Sequence, residues 1–218
     1  MSRPLSQEDT MPKYLTEFVG TFLFLFTIVL AVFSASPVAA LAIGVMLTAL
    51  VYMGGHISGG HYNPAVSLAL ALAGKFKWAD LIPYWISQIL GAIGGTAVAQ
   101  LVTESTPSIK PGDLPTQVPL IVETLFTLAL CLVVLNIATH SKTKGNFAYG
   151  MAIGLTVVAA AVAGGGISGG AFNPAVGTGM SFFMTDKSHL WLYWAGPMIG
   201  AILAAVIFKV QEMEPTES

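Results

Sequence analysis

The sequence predicts an all-α membrane protein: six transmembrane helices and two re-entrant half-helices, related as an inverted three-plus-three repeat. Three observations predict this. First, 55% of the 218 residues are hydrophobic and only 9% are charged, with a mean hydropathy of +0.75. An average soluble domain is about 25% charged. Second, residues 18–74, 81–103, 145–185 and 188–208 contain no Asp, Glu, Lys or Arg. Third, a thirteen-residue segment occurs twice, 110 residues apart. The same composition argues against disorder, a disulfide scaffold and an ordinary soluble enzyme. A net charge of −2 offers no basic field to a nucleic acid. The lone Cys131 lies in an apolar run and reads as a packing residue.

Taken in order, full spans are predicted at 12–33, 38–54, 80–102, 118–139, 147–164 and 189–209. Crossing a bilayer takes about 20 mostly apolar residues. The uncharged run 18–74 is too long for one span and is broken at Ser34–Pro37 and at Gly54–Pro64. Two apolar segments remain, 63–74 and 173–184. At about twelve residues, or about 18 Å as a helix, each crosses only about half of the hydrocarbon core. The first repeat covers 12–102 and the second 118–209, joined by a polar loop, 103–117, with three prolines. Polar tails occupy 1–11 and 210–218. A cleaved leader is disfavoured, because Glu8 and Asp9 stand beside Arg3 and Lys13 and the apolar run that follows is too long. Ser2 and Ser6 are the tail's candidate phosphorylation sites, with no specific motif around them.

Positive charge sets the orientation. With the N-terminus in the cytoplasm, Arg3, Lys13, Lys75, Lys77, Lys142, Lys144 and Lys209 lie inside, and only Lys110 and Lys187 lie outside. Both termini are therefore expected in the cytoplasm. The short tails and compact loops suit a bacterial inner membrane.

The repeat is extensive. Residues 54–66 and 164–176 agree at ten of thirteen positions. Ala42-Ile43-Gly44 returns as Ala152-Ile153-Gly154, and Tyr84-Trp85 as Tyr193-Trp194. Glu17 has a counterpart in Glu123. Each half holds an odd number of spans, so the second half enters from the opposite side, as inverted repeats do.

The repeated segment contains Asn63-Pro64-Ala65 and Asn173-Pro174-Ala175. Asparagine is a good N-cap, and proline fits the first helical position, where an N–H would be unpaired anyway. The glycine-rich backbone before each box is tolerated at membrane depth only inside protein or along a wet cavity. Two half-helices entering from opposite faces bring their positive dipole ends together near the midplane.

Paired Asn-Pro-Ala boxes on such a repeat resemble the aquaporin, or major intrinsic protein, family, from about Lys13 to Lys209. The resemblance implies a passive channel for water and small neutral solutes, without a cofactor, assembled as a homotetramer in the lipid bilayer. It implies that Asn63 and Asn173 each offer an N–H at the pore centre and that carbonyls of 55–61 and 165–171 form an acceptor ladder. It also implies that Glu17 and Glu123 anchor the re-entrant loops. A proton or ion relay is the alternative reading of these two intramembrane carboxylates.

The chain departs from the family at the outer filter. Most members carry an arginine after the second box; here that residue is Val176, and the chain's one arginine is Arg3. Counted from the boxes, the other filter positions fall at Ile43, Ala161 and Gly170. Water-strict members have an aromatic residue and a histidine at the first two. The expected filter is wide, apolar and uncharged, admitting solutes the size of glycerol, urea or undissociated metalloid acids. The alternative is a strict water channel whose gap is refilled by Phe172, Tyr62 or a residue of 165–171.

His56 and His61 precede the first box and are candidates for protonation gating. The plainer reading is a pair of hydrogen-bonded loop histidines. Their counterparts are Gly166 and Ala171, so no symmetric metal site exists, and no metal-ligand spacing stands out. His140 and His189 are expected at solvated span ends. Tyr84-Trp85 and Tyr193-Trp194 are expected to anchor at the membrane interface. Gly91 with Gly95, and Gly196 with Gly200, have spacing for close helix contact within or between protomers. A secondary transporter is the first rival function, and coupling to an ion gradient would mark it. A structural or adhesion relative that has lost conduction is a further reading. An intramembrane enzyme lacks a nucleophile, acid-pair or metal motif.

Overall fold

The structure, a computed structural model, describes residues 11–213. Ser2, Arg3 and Ser6, with the rest of 1–10 and with 214–218 of the predicted tails, lie outside the described residues. Eight α-helices follow in order: α1 Met11–Phe33, α2 Ala39–Gly54, α3 Pro64–Leu72, α4 Trp78–Thr103, α5 Gln117–Val134, α6 Tyr149–Ser168, α7 Pro174–Phe182 and α8 Leu192–Gln211. α1, α4, α5 with its extension, α6 and α8 are long and apolar enough to cross a membrane. α2 has sixteen residues, about 24 Å at the α-helical rise. Its hydrogen bonding runs on for one more turn, through Ser58 N–H to Gly54 O and Gly59 N–H to Gly55 O.

Three predicted boundaries need correction. α5 does not run unbroken to residue 139; it passes into a π-helical turn over Leu135–Thr139. There Asn136 Nδ2 donates to Leu132 O at 3.0 Å and to Gln211 Oε1 at 2.9 Å. α6 reaches Ser168, so residues 165–168 are helical, not extended. The half-helices have nine residues each, about 13–14 Å, and not twelve. α3 stops because Gly74 turns to φ +74° and Lys75 N–H closes back on Leu70 O. α7 stops where Met184 N–H caps Ser181 O.

The elements pack in symmetric pairs. α1 lies on α4 and α5 on α8, while α2 crosses α6. The half-helices reach across, α3 to α8 and α7 to α4. Small residues permit these crossings. A Cβ on Gly91 or Gly95 would strike the α1 backbone at Phe18 and Phe22. One on Gly200 would strike the carbonyl of Thr124 in α5, and one on Gly196 the Cβ of Glu123. Both glycine pairs therefore serve contacts within the chain. The outer face of the bundle is apolar, with Leu101, Val162 and Val206 exposed, as a lipid-facing surface requires. The ends of α1 and α8 nearest the termini share one face, where Lys75 pairs with Glu212 at 2.6 Å. The α4–α5 connection lies on the opposite face.

Candidate functional site: a two-sided pore

Asn63 and Asn173 cap the half-helices in the same way. Their backbones are extended, at φ −155° and −162°. Each side-chain oxygen accepts from the N–H two residues on, Ala65 or Ala175, at 2.9 Å. Pro64 and Pro174 take the first helical position. The side-chain nitrogens cross the pseudo-twofold axis. Asn63 Nδ2 donates to Phe172 O at 3.0 Å, and Asn173 Nδ2 donates to Tyr62 O at 2.9 Å. Each amide carries two N–H donors, so each retains one beyond its cross-link. Both asparagines line a cavity of about 770 Å³ that opens on the terminal face.

The backbone before each box is held in a costly shape. Tyr62 and Phe172 sit at φ +49° and +48°, and Gly59, Gly60, Gly169 and Gly170 are also left-handed. For a residue with a Cβ that conformation costs roughly 1–2 kcal/mol. Two buried carboxylates offset the cost. Glu17 accepts from Ser58 Oγ at 2.7 Å, His61 N at 2.9 Å, Tyr62 N at 2.7 Å and Gln88 Nε2 at 2.8 Å. Glu123 accepts from Ser168 Oγ at 2.7 Å, Ala171 N at 3.0 Å and Phe172 N at 2.6 Å. Hydrogen bonds to a charged acceptor contribute about 1.5–3 kcal/mol each.

The tyrosines expected at the membrane interface are buried in the interior instead. Tyr84 OH donates to Ser58 O at 2.7 Å, and Tyr193 OH donates to Ser168 O at 2.8 Å. Trp85 Nε1 reaches Pro64 O and Trp194 Nε1 reaches Thr178 Oγ1, both at 3.0 Å. The exposed tryptophans are Trp78 and Trp191. Sequence reasoning missed this second set of loop fasteners, although their recurrence at the repeat offset was the available signal. The bonds also shorten the expected carbonyl ladder. Ser58 O and Ser168 O are taken by the tyrosines, Ile167 O by Gly112 N–H and Gly165 O by Gly169 N–H.

The predicted filter positions come together. Ile43, Ala161, Gly170 and Val176 all line a second cavity of about 400 Å³ on the opposite face. Their repeat mates, Ile153, Val51, Gly60 and Val66, all line the first cavity. Neither aromatic side chain named as a replacement fills the second cavity. The Tyr62 ring is wedged where a Cβ on Gly20 or Gly54 would strike it, and its hydroxyl donates to Leu50 O at 3.0 Å. The Phe172 ring packs edge-on against Phe126. Ile28, Met180 and the segment Ser108–Lys110 complete the walls.

The histidines differ from one another. His56 is exposed and lines the first cavity. His61 is buried, with Nδ1 2.9 Å from Ser67 Oγ and its ring against Phe76 and Tyr84. His140 is half-buried on the same cavity, packed on Phe208 and capping Lys142 N–H, so it is not simply solvated. His189 is exposed as expected. Cys131 is buried in the core.

The chain matches the family Major intrinsic protein over residues 5–208. It is 36% identical to glycerol uptake facilitator protein-like 6 of Lactiplantibacillus plantarum, over 94% of this chain and 100% of that protein. It is 33% identical to Aquaporin Z of Brucella melitensis, over 90% of this chain and 96% of that one. The X-ray structure of the aquaglyceroporin from Plasmodium falciparum shares its fold, with a TM-score of 0.80, 21% identity, and coverage of 91% of this chain and 95% of that one. With its repeat, its half-helices and a match over nearly its whole length, the chain belongs to the major intrinsic protein family, a family of membrane channels and not of enzymes.

Proposed function

We propose that this protein is a passive channel for water and small neutral solutes, with glycerol, urea and undissociated metalloid acids within its size range. The observation that carries the reading is the composition of the outer cavity. Ile43, Ala161, Gly170 and Val176 line it together, and none of them carries a charge or a side-chain hydrogen-bond donor. Such a constriction selects by size and apolar contact, and it has no fixed cation to narrow it. Asn63 and Asn173 form the pore centre, with Pro64, Ala65, Pro174 and Ala175 as the starts of the half-helices. Each asparagine gives a permeating hydroxyl or water one N–H, and the two half-helix dipoles oppose cations there. Glu17 and Glu123 hold the loops and do not relay protons; every donor they accept belongs to a loop or a neighbouring helix. His56 lines the inner approach, while His61 is a packing residue that braces the first loop against Ser67, Phe76 and Tyr84. The channel sits in a bacterial inner membrane as a homotetramer, with both termini cytoplasmic, as the lysine asymmetry favours.

Stopped-flow light scattering on proteoliposomes tests the reading. Wild-type protein is expected to speed water, glycerol and urea flux. Val176→Arg is expected to cut glycerol and urea flux about tenfold relative to water, the cost of a smaller aperture being of the order of 1.4 kcal/mol. Water flux in the wild type with glycerol and urea excluded would overturn it.

A further inference from the structure

The outer mouth holds one charged side chain, and it comes from the loop between the two halves. Among the residues lining the outer cavity, Lys110 alone is charged at neutral pH. The loop is fastened there at two points. Gly112 N–H donates to Ile167 O at 2.9 Å, just before the second re-entrant segment. Ile109 is buried, and its N–H lies 3.5 Å from Met184 Sδ, beyond the end of α7. A Cβ on Gly169 would meet both Ile109 and the Lys110 carbonyl. Lys110 is exposed and has no ion-pair partner among the described residues. Asp113, the nearest acidic residue in the loop, is not paired with it.

We propose that Lys110 is a specificity-determining residue of this channel, a loop-borne positive charge that repels cations at a mouth whose filter position holds Val176. The inference rests on the channel reading above. A cleft with low-dielectric walls concentrates the field of a charge at its rim. At physiological ionic strength that field reaches about 8 Å, so the charge acts on an ion entering the cavity without touching it. Neutral solutes carry no charge for it to act on. The division of labour differs from a filter arginine: the charge is carried by the connecting loop, and Ile43, Ala161, Gly170 and Val176 carry none.

The experiment measures potassium leak with a potential-sensitive dye and glycerol influx by light scattering on the same proteoliposomes. In Lys110→Glu the ratio of potassium leak to glycerol influx is expected to rise about tenfold at 20–50 mM salt, and in Lys110→Gln by a smaller factor. Lys110→Arg is expected to keep the wild-type ratio. At about 1 M salt, where screening shortens to about 3 Å, the difference between Glu and Lys is expected to collapse. An unchanged ratio in Lys110→Glu overturns the proposal. So does a leak that rises equally in Lys110→Arg, or one that ignores salt, because either would mean a displaced loop and not a lost charge. Absence of glycerol influx in wild type and every variant would instead sink the channel reading, and this inference with it.

Discussion

At the scale of single residues, the re-entrant loops depend on two carboxylates with unequal settings. Glu17 receives four donors and Glu123 three, because Gln88 in α4 has Pro197 as its counterpart in α8. Ser67 and His61 extend the network on the terminal side, and their counterparts, Gly177 and Ala171, do not. Glutamine in place of either glutamate turns one acceptor oxygen into a donor facing a backbone N–H. An unsatisfied buried donor costs about 1–3 kcal/mol. Both Glu17→Gln and Glu123→Gln are therefore expected to unfold at lower temperature in detergent. The larger drop is expected for Glu17→Gln, where Gln88 Nε2 loses a partner as well. Equal melting temperatures for wild type and both variants would show that the loops are held by something else. The pairing of Glu17 with Glu123 was legible from the repeat. The donors were not, since backbone N–H groups of residues 61, 62, 171 and 172 face a carboxylate only after the chain has turned left-handed at Tyr62 and Phe172.

At the scale of elements, most of the architecture was legible because long uncharged runs and two proline-headed segments are strong local signals. The existence and order of all eight helices follow from them. The errors fall where local pattern and tertiary contact disagree. Glycines 165 and 166 looked like extended backbone, yet they continue α6 to Ser168; a Cβ on Gly164, inside the predicted span, would strike Phe126, whereas one on Gly165 or Gly166 would meet nothing. Tyr84 and Tyr193 looked like interface anchors by position in their spans, yet their hydroxyls serve the loops. The fit of Tyr62 makes a coupled test. Its hydroxyl occupies the space a Cβ on Gly54 would need. Gly54→Ala alone is expected to cost about 1–3 kcal/mol by overpacking. Tyr62→Phe removes the obstructing oxygen and its bond to Leu50 O, so the double variant is expected to lose less than the sum of the two singles. Strict additivity in denaturation would mean that the loop shifts to admit the methyl group without involving the ring.

At the scale of the whole molecule, the inverted repeat builds two unequal approaches to one centre. The same four repeat positions line both cavities, but the terminal-face cavity is about 770 Å³ and the opposite one about 400 Å³. The smaller cavity lies on the side of Val176 and Lys110, and under the proposed function selection is expected there in either direction of flow. The centre between the cavities is fastened by reciprocal bonds from Asn63 to Phe172 O and from Asn173 to Tyr62 O. An alternating-access transporter must let one half rock against the other around its substrate. Here such rocking would break both cross-bonds and part α2 from α6, α3 from α8 and α4 from α7, contacts that join the two halves. The geometry favours a fixed pore. Glycerol influx into proteoliposomes is accordingly expected to rise in proportion to the gradient, without saturation over a wide concentration range. It is also expected to be indifferent to ionophores that collapse proton and sodium gradients. A temperature dependence little steeper than that of diffusion in water would agree with both. Influx that saturates and falls on addition of a protonophore would require the two halves to move, and the cross-bonds of the asparagines would then have to be the contacts that break in each cycle.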